Sequence, residues 1–193
     1  MDKDKIIFKT AQLIKKYGIK SLTIDDITFF LATSKSAIYT HFQNKEELIK
    51  ESLNFINVDF ETKINTLFKK KENPIKKLIE IYYATIDFII DFHDIFFFDL
   101  KKNPISDEII KGYQINFKSN IILPLLHEAK TSNYLIKEIN IEEALEQYVK
   151  FINHYFVVFK AEDNMIIKKQ IVIYLNKYLT EEHKKDYNYL LLE

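Results

Sequence analysis

The sequence predicts an all-α protein: an N-terminal three-helix head of the helix-turn-helix kind, followed by a C-terminal helical-bundle body. Three observations carry this. Apolar residues recur at helical spacing along nearly all of the 193 residues, and alternation over strand lengths is scarce. Only 2 Gly and 3 Pro punctuate the chain, too few for the tight turns of a sandwich, barrel or propeller. With 47% apolar residues the chain has material for a packed core, which excludes intrinsic disorder.

The elements follow in order. Ile6, Ile7, Ala11, Leu13, Ile14 and Tyr17 form one broad stripe. Gly18 comes directly after Lys15, Lys16 and Tyr17, the place of a left-handed residue closing a helix with cations in its last turn. Thr23 reads as the N-cap of a second helix over about 24–31, with Asp25 and Asp26 where the helix dipole favours acids. Ser34 caps a third helix over about 35–41. A fourth starts near Lys45 and carries its stripe through Leu48, Leu53, Phe60 and Ile64 to about Lys70. Pro74 opens a fifth, running to about Phe92. Asn103-Pro104 and Ser106-Asp107-Glu108 mark a break and a restart. Residues 106–131 then read as a helix that Pro124 must kink or interrupt. Asn133 is placed to end it, and Asn140 caps a helix over about 141–160. A last strong helix covers about 165–178, and the tail after Thr180 adds a short one.

Charge and composition narrow the function classes. The 28 basic and 28 acidic residues cancel, which excludes a histone-like mode of nucleic-acid binding. The distribution is uneven: residues 1–50 hold 9 Lys against 6 acids, a net +3, and residues 51–193 hold 19 against 22, a net −3. Every basic residue is Lys, as codon bias in an AT-rich genome would produce, so any anion or guanine is met without a guanidinium fork. Zero cysteines remove disulfides, thiolate zinc sites, Fe–S clusters and cysteine nucleophiles together. No apolar run approaches the roughly 18 residues of a membrane span, and MDKDKIIFKTA lacks the apolar core of a signal peptide. A cytoplasmic protein without a membrane partner is expected.

The second and third helices are separated only by Ala32-Thr33-Ser34, a turn short enough to force a steep crossing. Ile27, Leu31, Ile38 and Phe42 fall where the two would pack. Lys35, Ser36, Ala37, Thr40 and His41 are left for the outer face of a helix that enters a DNA major groove. Ser36 and Thr40 can donate or accept at base edges, Ala37 can touch a thymine methyl, and Lys35 can reach guanine or phosphate. Tyr39 and His41 have the reach for phosphate oxygens, and Lys45 stands near the start of the next helix, where backbone N–H groups also point at anions. Thr23 presents its helix N-terminus to phosphate, with Ser34 as a further DNA-facing residue. The blander alternatives are a core role for Tyr39 and a solvated helix start for Lys45.

The run Ile27-x-x-x-Leu31-x-x-Ser34-Lys35-x-x-Ile38-Tyr39-x-His41-Phe42-x-x-Lys45-Glu46-x-Leu48 resembles the DNA-binding signature of the TetR family of bacterial transcription regulators. The likeness extends upstream through Ala11, Gly18 and Leu22-Thr23-x-x-Asp26-Ile27, and covers about residues 5–50. Departures are Ala32 where the family often has Gly, Thr28 for a small Ala, Ser36-Ala37 for a Gly/Thr pair, and Lys3 or Lys5 for an Arg in the first helix. The resemblance implies a sequence-specific transcription regulator on a pseudo-palindromic double-stranded operator, a homodimeric repressor released by a small hydrophobic effector. Residues 1–46 would then be the DNA-binding domain and 47–193 the ligand-binding and dimerisation domain.

In the body, the helices near 141–160 and 165–178 are apolar around most of their circumference and need cover on two sides. Tyr148, Ile152, Phe156, Ile167, Ile171 and Tyr174 are the expected dimer interface, with burial inside a larger monomer core as the alternative. The resemblance implies the dimer, since the family pairs through its last two major helices. Tyr82, Phe88, Phe92, Phe96, Tyr113, Phe117, His154 and Tyr155 are the expected lining of an apolar ligand pocket, against ordinary core packing. No catalytic residue, cofactor or metal is expected. The five histidines are scattered, and the cluster Asp87, Asp91, His93 and Asp94 reads more simply as a solvated or capping face. The alternatives to a regulator are an all-α protein-interaction module and a metal-binding helical enzyme with a degenerate head.

Overall fold

A computed structural model describes residues 1–100, 112, 114–158 and 164–187, without the side chains of 97, 98, 100 and 154–158. The described chain is helical, with one isolated antiparallel bridge between Leu135 and Leu179. The helices are α1 (Lys3–Tyr17), α2 (Ile24–Leu31), α3 (Lys35–Tyr39), α4 (Lys45–Phe68), α5 (Pro74–Ile90), α6 (Asp94–Leu100), α7 (Leu123–Thr131), α8 (Ile141–Val158), α9 (Asn164–Asn176) and α10 (Glu181–Lys184). They fall into two compact units. The first holds Met1–Thr62 with the described residues from Asp91 to 112, and the second holds Lys63–Ile90 with those from Gln114 onward. The boundary lies inside α4.

In the first unit α1 packs on α2 and on α6, and α2 packs on α3. Ile6, Ile14, Ile27, Ile38 and Leu48 are fully buried, and Leu22 and Phe42 nearly so. Each helix therefore spends a few apolar residues on a common core and leaves its other faces to water. α1 ends at Gly18 as expected, though in an extended positive-φ conformation rather than the left-handed one, and its N–H donates to the Ile14 carbonyl at 2.9 Å. Its φ of +79° is the positive value that favours glycine, with an extended ψ of −175°.

In the second unit α5 is the central element and packs on α7, α8 and α9. Its buried residues, among them Ile75, Leu78, Ile81, Tyr82 and Ile86, occupy several sides of the helix. The break foreseen at Pro124 takes the form of a single π-helical turn, Lys118–Ile122, leading into α7 with proline in its first turn. The wider turn removes the bond and the clash that proline would make one α-turn back. Asn133 adopts the left-handed conformation at φ +59°, and Asn140 Oδ1 accepts the N–H groups of Glu142 and Glu143 at 3.0 and 3.3 Å, as its capping role requires.

Some boundaries differ from the sequence reading. α3 is five residues long rather than seven, because Thr40 and His41 form a turn in which the His41 N–H donates to the Ile38 carbonyl at 3.0 Å. α5 stops at Ile90, and α6 stands in a stretch where the sequence suggested no helix. Of the residues read as one helix over 106–131, those at 106–111 lie outside the described residues.

Candidate nucleic-acid interface

The helix-turn-helix is built from short-range contacts. Thr23 Oγ1 accepts the Asp26 N–H at 3.1 Å while Asp26 Oδ2 accepts the Thr23 N–H at 2.9 Å, a reciprocal capping box at the start of α2. The Thr23 hydroxyl, which also donates to Asp26 Oδ2 at 2.5 Å, and then the Thr23 N–H hold the Asp26 carboxyl below its ordinary pKa, because both favour its ionised form. Ala32 closes α2 in the left-handed conformation (φ 48°, ψ 49°), where its Cβ costs roughly 1 kcal/mol that glycine would avoid. Ser34 Oγ then accepts the Ala37 N–H at 3.1 Å and starts α3.

On α3 the single inward residue is Ile38, and Phe42 follows it into the core. Ser34, Lys35, Ser36, Tyr39, Thr40 and His41 are exposed, and Ala37 is half-buried. Tyr39 is 48% exposed, which removes the core alternative for it. Thr23 is exposed, and Lys45, half-buried, stands at the start of α4 beside it in the same unit. The structure thus brings all nine residues singled out for DNA to the surface of the first unit.

Several of these side chains already have partners. Lys35 Nζ lies 2.7 Å from Asp25 Oδ1, and this bond raises the lysine pKa. Thr40 Oγ1 donates to the Ala37 carbonyl at 2.7 Å, which leaves its lone pairs outward. His41 Nε2 sits 3.0 Å from the Met1 carbonyl oxygen. Lys3, above the Phe42 ring at 5.2 Å, pairs with Glu51 at 2.8 Å and so ties α1 to α4. The Asp25 pairing was open to sequence reasoning only through its acid at the second position of α2, and the Met1 contact carried no sequence signal.

The body residues are distributed differently. Phe92 and Phe96 lie in the first unit, buried with ring centroids 4.3 Å apart. Tyr82, Phe88 and Phe117 belong to the second. Tyr82 is fully buried, edge-on to Tyr148 at 5.8 Å, and its hydroxyl donates to the Ile167 carbonyl at 3.4 Å. Tyr113 and the side chains of His154, Tyr155 and Phe156 lie outside the described residues.

The described residues expected at a subunit interface also take part in the core of their own unit. Tyr148, Ile152, Ile167, Ile171 and Tyr174 are buried inside the second unit itself. Tyr148 donates to the Leu78 carbonyl at 2.7 Å, and burial pushes the Tyr82 and Tyr148 hydroxyls above their ordinary pKa and that of Tyr174 to about 12. The apolar residues that α9 leaves exposed are Met165, Ile166 and Ile173. A groove of about 400 Å³ is lined by Glu143, Glu146, Lys150, Phe151, Tyr174 and Lys177, among others.

Among the described residues no group of three or more His, Asp or Glu could hold a metal ion, and Asp87 instead takes the Lys168 ammonium at 2.6 Å. No described helix is long and apolar enough to cross a membrane.

An exposed polar α3 crossing a buried α2–α3 core defines a helix-turn-helix DNA-binding protein. Residues 6–52 match the family model of bacterial regulatory proteins, tetR family. Over 133 residues the chain is 28% identical to the HTH-type transcriptional regulator QacR of Staphylococcus aureus, covering 60% of this chain and 69% of that protein. Over 51 residues it is 37% identical to IcaR, the HTH-type negative transcriptional regulator of the biofilm operon icaADBC of Staphylococcus epidermidis, covering 26% and 28%. The fold is shared with a TetR-family regulator from Cytophaga hutchinsonii (TM-score 0.76, 10% identity, 93% and 95% coverage) and with a gamma-butyrolactone receptor described as ArpA-like (TM-score 0.69, 14% identity, 97% and 93% coverage). These likenesses support a TetR-family regulator, with the family's DNA-binding segment at residues 6–52.

Proposed function

We propose that the protein is a homodimeric repressor that binds a pseudo-palindromic operator through α3 and is released by a small hydrophobic ligand taken up by its body. The observation that supports this most is the polar face of α3: Lys35, Ser36, Ala37, Tyr39, Thr40 and His41 stand outward around one buried Ile38. In this reading Ser36, Ala37 and Thr40 read base edges. Tyr39, His41, Lys45 and the capped helix starts at Thr23 and Ser34 hold phosphates, and Lys35 serves either. Residues 1–46 carry DNA binding and 47–193 carry ligand binding and pairing, in the cytoplasm where bacterial DNA lies. The repressor role is supported by the relative named a negative regulator, and the small ligand by the neighbour named a receptor. The buried and half-buried aromatic residues of the body give such a ligand apolar surroundings.

Two heads about 34–36 Å apart would meet successive turns of one duplex face, which makes a dimer the natural reader of a two-fold site. Its pairing surface is best supplied by Met165, Ile166 and Ile173. With lysine as the only cation type, the operator is expected to lean towards A·T pairs. The test is binding to duplex from the promoter region beside its own gene, with salt varied. Lys45→Ala should weaken binding to every sequence and lower the salt slope by about one unit. Thr40→Ala should change base preference instead. An unchanged slope for the first, or equal loss on all duplexes for the second, argues against these assignments.

A further inference from the structure

Asp99 is the one buried acid among the described residues, 3% exposed, and the interface described above makes no use of it. It stands on α6, 80 and 79 residues from the groups it holds: its Oδ2 accepts the N–H of Ile19 at 2.8 Å and the N–H of Lys20 at 2.9 Å. These are the two amides that follow Gly18 in the connection from α1 to α2. The fit between the two segments is close. A Cβ on residue 18 would lie 2.7 Å from Asp99 Oδ2 and 3.0 Å from Ile95 Cγ2, so the glycine that ends α1 also makes room for the carboxylate. A second tie lies at the same end of α1, where the His93 N–H donates to the Lys15 carbonyl at 2.8 Å.

Removing a carboxylate from water costs free energy that an apolar side chain of similar volume would not incur. What the charge supplies in return is direction: two short bonds, each about twice as strong as a neutral pair, on consecutive backbone amides. Those amides lie three and four residues before Thr23, the cap that opens α2. Fixing them fixes where the N-terminal end of α2 points.

We propose that Asp99 is a positioning residue for DNA binding, clasping the α1–α2 connection so that the capped start of α2 is presented to phosphate. This rests on the DNA-binding reading above. The full-length protein is compared with Asp99→Leu, which keeps the volume without the acceptor, and Asp99→Asn, which keeps an oxygen without the charge. Amide exchange at Ile19 and Lys20 is followed by NMR, and the affinity and salt slope are measured on duplex from the promoter region beside its own gene.

Asp99→Leu should exchange both amides about tenfold faster, bind about tenfold more weakly and lose about one unit of salt slope, the loss of one phosphate contact. Asp99→Asn should fall between the two. A merely structural residue would lower the melting temperature and leave the slope as it was. Wild-type exchange at both amides, or wild-type affinity and slope in Asp99→Leu, overturns the proposal. Should Asp99→Leu not fold, wild-type exchange and affinity in Asp99→Asn overturn it equally. If the wild-type protein itself ignores the duplex, the DNA-binding reading fails, and amide exchange alone then decides whether the clasp exists.

Discussion

The α2–α3 region of the first unit carries its polar chemistry outside a small core, whereas the second unit buries tyrosine hydroxyls among its own helices. In the first, the bonds that shape the α2–α3 region span three residues: Thr23 with Asp26, Ser34 with Ala37, Ala37 with Thr40. In the second, the tyrosine hydroxyls are satisfied far along the chain. Tyr148 reaches Leu78, 70 residues away, and Tyr82 reaches Ile167, 85 away. An exposed polar face over short-range caps is suited to a surface that a rigid polyanion must meet. Buried tyrosines with distant partners are suited to holding helices in register, since each leaves no unpaired hydroxyl while adding a large apolar ring.

The strongest way to break this contrast is to remove a tyrosine from the second unit. Tyr148→Ala should lower stability by about 3–5 kcal/mol, the usual cost of truncating a large buried ring. Denaturant unfolding checks the size, and repeating it over a range of protein concentrations checks the origin. A loss that is the same at all concentrations marks Tyr148 as protomer core. A loss that grows on dilution would return it to a subunit interface. The next effect concerns the face proposed for pairing. Ile166→Asp with Ile173→Asp should shift the protein to monomer in sedimentation while its far-UV spectrum stays native, because both side chains are about half exposed in the protomer (55% and 49%). A dimer that survives both charges would place pairing elsewhere.

The same contrast explains which parts of the fold were legible in the sequence. Thr23, Ser34, Gly18 and Asn140 announced helix ends correctly because a cap and its partner lie within four residues of one another. The outer face of α3 followed once Ile38 was assigned inward. The aromatic and aliphatic residues of α5, α8 and α9 were recognisable as apolar faces, but periodicity does not say which neighbour covers a face. Tyr148, Ile167 and Ile171 read equally as a face for a second subunit or as core, and in the structure the helices of their own unit bury them. Asp99 was invisible for the same reason: its partners are 79 and 80 residues away. Even within the head, α6 had no sequence signature, since Asp94–Leu100 is short and almost wholly apolar.

A smaller effect tests the electrostatics of the exposed face. Asp25 holds Lys35 at 2.7 Å in the free protein, so a phosphate must compete with a carboxylate for that ammonium. Both groups are exposed, and water screens their attraction, so the pair adds little to stability. Its consequence is for binding: Asp25→Asn should leave the melting temperature unchanged and raise affinity for random-sequence duplex about fivefold, with a somewhat steeper salt slope. Unchanged affinity would mean that Lys35 does not reach the nucleic acid, and it would confine the face to the remaining residues of α3 and to Lys45.

The smallest effect lies in the capping box of α2. The Thr23 bonds lower the Asp26 pKa in the folded protein, so the ionised acid binds its protons less readily folded than unfolded. Stability from this source is complete well above the unfolded carboxylate value of about 3.9 and is lost as pH falls through the depressed folded value. The wild-type protein should therefore shed a small increment of stability between about pH 5 and the folded pKa, and Asp26→Asn should lack that increment. Comparing their melting temperatures at pH 7 and well below the unfolded value, at about pH 2.5, reads it. Because the box is exposed, the difference should be far smaller than that for Tyr148→Ala. A difference as large as that of the buried tyrosine would mean that the first unit depends on its caps as heavily as the second depends on its core.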